Sequence, residues 1–141
     1  MRLLVVKYIP GGLYGFAQDA DGNERVFFHL TVFDPLGGPP PVVGEEVEVE
    51  LDPFSPPDRP KAARVARLGI PALRTGVVAR FDHNVGYGFV SDEQGAQFFL
   101  HRSEMPNGML PSMGMKVSFY AGRAIGTSKP RACHVTVLER P

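Results

Sequence analysis

Gly86-Tyr87-Gly88-Phe89-Val90 and, a few residues on, Gln97-Phe98-Phe99-Leu100-His101 set the architecture of this chain. Side chains alternate between the two faces of a strand. Tyr87 and Phe89 therefore share one face, and Gly86, Gly88 and Val90 the other. In the next segment Phe99 and His101 go together, opposite Phe98 and Leu100. Both faces carry rings or apolar groups, but only one can be a core. Val90, Phe98 and Leu100 form the natural core set. Tyr87, Phe89, Phe99 and His101 are then left on the outer sheet surface, where a cluster of exposed apolar rings marks a binding surface. Rings on an open sheet face form a platform for stacking bases, each stack contributing ~1–3 kcal/mol. The interleaved glycines let the strand coil tightly and let a ligand approach the backbone.

Working outward, residues 77–81 precede this pair with β-branched and apolar side chains, and residues 117–120 and 134–138 follow it. The first half reads the same way over residues 3–8, 13–18, 26–30, 46–51 and 64–68. Glu46-Val47-Glu48-Val49-Glu50-Leu51 shows the charged–apolar alternation of a half-buried strand. No stretch keeps a helical period. The 16 Gly and 14 Pro are scattered along the chain, as turns between short strands require. Five short strands in about 70 residues suit a small closed barrel better than a sandwich.

The two halves are copies. Lys7-Tyr8 lies 73 positions before Arg80-Phe81, and Tyr14-Gly15-Phe16 lies 73 before Tyr87-Gly88-Phe89. Phe27-Phe28-His29 lies 72 before Phe99-Leu100-His101, and Gly44-Glu45-Glu46-Val47 lies 70 before Gly114-Met115-Lys116-Val117. Pro60-Lys61-Ala62-Ala63-Arg64-Val65 lies 70 before Pro130-Arg131-Ala132-Cys133-His134-Val135. The offset shrinks only where loops belong. A period this long makes each copy a small domain rather than a solenoid repeat. The expected organisation is all-β: a first domain over 1–68, a short linker over 69–75 around Gly69-Ile70-Pro71-Ala72, and a second domain over 76–141.

The formal net charge of zero conceals an asymmetry. Residues 1–70 hold seven Lys/Arg and ten Asp/Glu, a balance of −3, and residues 71–141 hold eight and five, a balance of +3. A phosphate backbone favours the second half and is repelled by the first. No apolar run reaches the ~20 residues of a membrane helix. The N-terminus lacks a signal-peptide pattern, and Cys133, the only cysteine, excludes an intrachain disulfide. The expected compartment is the cytoplasm, with no membrane contact. The four histidines lack metal-ligand spacing, and neither a nucleophile–base pair nor a phosphate-cradling loop is present, so no cofactor, metal or catalytic activity is expected. Met105, Met109, Met113 and Met115 are expected to cap a barrel end, and Cys133 to be a buried thiol.

A family resemblance rests on the second half. Gly76-Val77-Val78-Ala79-Arg80-Phe81-Asp82, Gly86-Tyr87-Gly88-Phe89-Val90 and Phe99-Leu100-His101 resemble the bacterial cold-shock domain, which reads roughly G-x-V-K-W-F-N, K-G-F-G-F-I and V-F-V-H-F. The resemblance continues through Gly114-Met115-Lys116-Val117-Ser118-Phe119 and Pro130 to Val135, and it is weaker in the first half. It implies two consecutive five-stranded OB-like barrels that bind single-stranded RNA or DNA without a cofactor. The departures are specific. The family's stacking Trp aligns with Arg80, and with Lys7 in the first copy. The Lys before its first motif aligns with Val85 and Gly12, and its last ring with Arg102 and Leu30. Arg can lie flat on a base and also meet phosphate, yet binding is expected to be weaker than in a full member of the family.

The candidate nucleic-acid-binding residues are therefore Arg80, Phe81, Tyr87, Phe89, Phe99, His101 and Arg102. Lys7, Tyr8, Tyr14, Phe16, Phe27 and His29 are weaker candidates in the acidic half. Charge from Lys116 or Arg123 could add to the first set. RNA is the expected ligand. The rival reading is a protein-interaction or dimerisation module using the same aromatic face, with a protein partner or self-association through the first domain.

Overall fold

The computed structural model describes residues 1–123 and 129–141. The chain divides into two compact units, Met1–Pro71 and Ala72–Pro141. Both are built from strands and short 3-10 turns, and no helix among the described residues is long and apolar enough to cross a membrane.

In the first unit β1 (Arg2–Ile9), β2 (Tyr14–Gln18), β3 (Arg25–His29), β4 (Phe33–Asp34), β5 (Glu46–Leu51) and β6 (Ala62–Arg67) pair in the order β3-β2-β1-β5-β6-β4. The second unit contains β7 (Leu73–Asp82), β8 (Tyr87–Asp92), β9 (Gln97–His101), β10 (Lys116–Arg123) and β11 (Pro130–Glu139), which close into a barrel in the order β10-β11-β9-β8-β7. Alternation sorts each strand as expected. Leu3, Val5, Ala17, Val26, Phe28, Val47, Val49 and Val65 fill the first core. Val78, Val90, Phe98, Leu100, Val117, Phe119, Ala132 and Val135 fill the second.

The ladders correspond step for step. Lys7 faces Phe16 across β1–β2, as Arg80 faces Phe89 across β7–β8. Each of these long strands carries an irregularity just before that pair, between Val5 and Lys7 and between Val78 and Arg80. Such bulges sharpen the strand's coil. Both hairpins that follow turn on an aspartate. Asp19 Oδ1 accepts from the Asn23 and Glu24 amides at 2.7 and 3.1 Å, and Asp92 Oδ1 from Gln94 and Ala96 at 3.0 and 2.8 Å.

Three expectations need correction. The first unit pairs six strands rather than five. Buried Phe33 packs its ring 5.3 Å from Phe28 and lays β4 beside β6, pairing Phe33 with Val65 and Asp34 with Ala66. In the second unit Met105 is buried likewise, but Pro106 follows and lacks the N–H that such pairing needs. An isolated parallel bridge joins Phe27 of β3 to Lys61, just before β6, at the positions where Phe99 and Arg131 close the second unit. Secondly, β7 starts at Leu73, inside the stretch 69–75 read as linker, because β10 is long enough to pair Phe119 with Arg74 and Tyr120 with Leu73. Thirdly, the methionines divide. Met105 and Met115 are buried and Met109 packs against the core, whereas Met113 is 71% exposed. Cys133 is a buried free thiol.

Candidate nucleic-acid interface

Strands β8 and β9 pair Tyr87 with His101, Gly88 with Leu100, Phe89 with Phe99 and Val90 with Phe98. This register places the four candidate rings on one outer face. Tyr87 is 43% exposed, and Phe89, Phe99 and His101 are half-buried, whereas Phe98 directly beneath is 4% exposed. The Tyr87 and Phe99 rings lie 5.5 Å apart at 33°, and Phe99 meets Phe89 at 6.3 Å edge to face. The result is a continuous aromatic strip with part of each ring open to solvent.

Gly88 serves one of the two roles expected of the interleaved glycines. It points inward, where an added Cβ would collide with the Arg80 carbonyl oxygen. Its role is to let β7 and β8 coil closely together, not to admit a ligand to the backbone. Gly15 does the same in the first unit, against the Lys7 carbonyl oxygen.

Cations flank the strip. Arg80 is exposed and holds its guanidinium 5.3 Å from the centre of the Phe89 ring, on the residue directly opposite in the ladder. A guanidinium stacked this way extends the flat surface while its N–H edge stays available to a phosphate. Arg102 is exposed at the end of β9, with its side chain passing over Gly86. Ser103 donates its backbone N–H to His101 Nδ1 at 3.1 Å, and its hydroxyl lies 2.8 Å from the same nitrogen, which fixes the imidazole. Phe81 is not part of the strip. It is half-buried against the core, with His83 edge-on at 5.2 Å. Lys116 is exposed but paired with Glu139 at 3.3 Å. Arg123 is exposed at the end of β10.

The weaker set in the first unit forms a strip of the same kind. Tyr14 and Phe27 lie 5.6 Å apart at 30°, and Phe16 meets Phe27 at 5.8 Å and 71°. His29 accepts the Thr31 N–H on Nδ1 at 3.2 Å. Lys7 is exposed, while Tyr8 packs against the core and burial raises its phenol above the ordinary value. Here the Phe16 ring is covered by Arg25, 4.6 Å from the ring centre, rather than by the residue facing it.

Sequence reasoning did not single out His83, Arg25, Arg59 and Lys61, which the structure places beside the candidate residues. Arg25 stands one residue outside the expected strand, and the last two lie in or beside the proline-rich segment 53–60. Among the described residues, no group of three or more His, Cys, Asp or Glu is placed to hold a metal.

No curated protein matches the chain. Solved structures that match comprise 27 chains. One, described as drosophila Unr CSD456, is 18% identical, with a TM-score of 0.42 over all of this chain and 64% of that one. This chain therefore spans slightly less than two thirds of that neighbour's length. Residues 74–138, nearly all of the second unit, match the family model of the "Cold-shock" DNA-binding domain.

Proposed function

We propose that the chain binds single-stranded nucleic acid on the outer face of β8 and β9. Bases stack on Tyr87, Phe89 and Phe99. His101 supplies a hydrogen bond or a further stack, and Arg80 and Arg102 meet phosphate. The observation that carries this reading is the strip of three rings, 5.5 and 6.3 Å apart, on the outside of a barrel whose core is already filled by other residues. The cold-shock match over residues 74–138 supports the same ligand class. The reading includes two tandem barrels, of which the first is the more divergent, and a binding rather than catalytic role in the cytoplasm. The matched ladders and the Phe27–Lys61 bridge support the tandem view.

The test is a titration of the full chain against labelled oligo(rU) and oligo(dT) at several salt concentrations. Binding that weakens as salt rises, with RNA the tighter ligand, is the expected outcome. Absence of binding to either would favour a protein-interaction role for the same rings.

A further inference from the structure

We propose that the first unit carries its own nucleic-acid site, a groove of about 440 Å³ lined by Phe16, Arg25, Phe27, Asp58, Arg59 and Lys61. It goes beyond the β8–β9 reading, because it lies outside residues 74–138 and uses a different set of cations. The net charge of this half argued against such a site; the placement of the charges argues for it. Glu45 is sealed against Arg67, Asp34 and Glu50 reach Arg64, and Glu48 reaches the N-terminal ammonium. Asp19 and Asp52 hold turns. The outward glutamates of β5 are separated from β2 by β1. Only Asp58 among the acids lines the groove, against three cations. Among the described residues, none of those three cations stands in an ion pair like those just named.

The groove is built rather than incidental. Phe27 donates its N–H to the Pro60 carbonyl at 3.0 Å, which seats the loop between β5 and β6 against the ring strip. Within that loop the Phe54 N–H meets Asp52 Oδ1 at 2.9 Å, and the Lys61 N–H meets Ser55 Oγ at 3.3 Å. Pro53, Pro56, Pro57 and Pro60 stiffen the rest. A loop ordered in advance loses little freedom when a ligand arrives. The second unit repeats this charge pattern only in part, with Lys129 in the place of Arg59. Gln97 occupies the ladder position of Arg25, and Arg131, in the place of Lys61, is drawn to Glu104 at 3.6 Å. Flat rings beside clustered cations fit bases and phosphates together, which singles out a single-stranded nucleic acid over an acidic peptide.

The test uses the full chain and fluorescein-labelled oligo(rU). The variant R25Q/R59Q/K61Q changes exposed side chains and should keep the wild-type melting temperature. It should lower the slope of log affinity against log salt by about 2, from about 0.7 per phosphate contact on a single strand. F27L keeps apolar bulk but removes the flat ring. Placed on an F99A background, it should weaken binding about 5-fold or more. If F99A alone removes all binding, or the triple variant leaves the slope unchanged, this proposal falls and the β8–β9 site stands. If F99A has no effect while F27L and the triple variant do, the β8–β9 reading falls and this one stands. Competition by polyglutamate as strong as by unlabelled oligo(rU) would overturn it, because bases would then play no part.

Discussion

The two units solve one folding problem with different chemistry in the same places. Register fixes the correspondence: Val47 faces Arg67 in the first unit as Val117 faces Val137 in the second. Two residues before Val47 stands Glu45, bound by Arg67 through both carboxylate oxygens at 2.6 and 2.7 Å, with both side chains almost fully enclosed. The corresponding second-unit residues are apolar: Met115, buried in the core, and Val137, half-buried against it. A buried ion pair and an apolar pair thus occupy matching sites. The difference shows that the ion pair is not needed to form this ladder. It serves the segment before β5 instead: Glu45 accepts the Val42 N–H at 3.2 Å, and Arg67 donates to the Pro39 carbonyl.

That contrast can be broken directly. Glu45→Met alone strands a buried guanidinium and should cost ~3–5 kcal/mol in denaturant unfolding. Glu45→Met with Arg67→Val installs the second unit's solution and should recover most of that loss. A double variant as unstable as the single would mean that the ion pair shapes the whole unit.

Phe98 and Phe99 provide the next contrast, between neighbours on opposite faces. Phe98→Ala opens a cavity beside Phe119, whose ring lies 4.9 Å away, and should cost ~3–5 kcal/mol of stability. Phe99→Ala should leave the melting temperature nearly unchanged and weaken oligonucleotide binding by ~1–3 kcal/mol. Equal falls in melting temperature would make Phe99 a packing residue and remove the main support for the stacking surface.

Gly15 and Gly88 sharpen the likeness of the units. Alanine at either should cost ~1–3 kcal/mol by overpacking, measured by thermal melts of each variant, since each Cβ would strike a carbonyl oxygen of the neighbouring strand. A marked inequality would show that one of the two coils has room to open.

The smallest expected effect concerns charge. Arg80→Gln should reduce the salt slope of binding by about 0.7, one single-strand phosphate contact, with no change in melting temperature. Lys7→Gln should change it less, because in the first unit the ring beside that position is covered by Arg25.

Alternation made the division between core and ring strip legible in advance. Around Phe98 and Phe99 the two-residue period leaves one consistent assignment, and the repeated Tyr-Gly-Phe carried it to the other half. What pattern reading could not reach were groups meeting across long sequence separations. Arg67 and Glu45 are 22 residues apart, and nothing local distinguishes Glu45 from the solvent-facing Glu46 beside it. Lys61 and Arg59 gain their meaning only when Phe27 draws their loop onto the strip. Strand β4 is two residues long and too short for any period to register.

The serine and threonine that pin His101 and His29 have one more effect. A backbone N–H can only donate, so the nitrogen that receives it must present a lone pair, and a neutral ring then carries its hydrogen on Nε2. Each strip therefore ends in a group able to give a hydrogen bond but not take one, in company with guanidinium groups of the same polarity. In the proposed binding mode such an edge would favour carbonyl and phosphate oxygens over exocyclic amines.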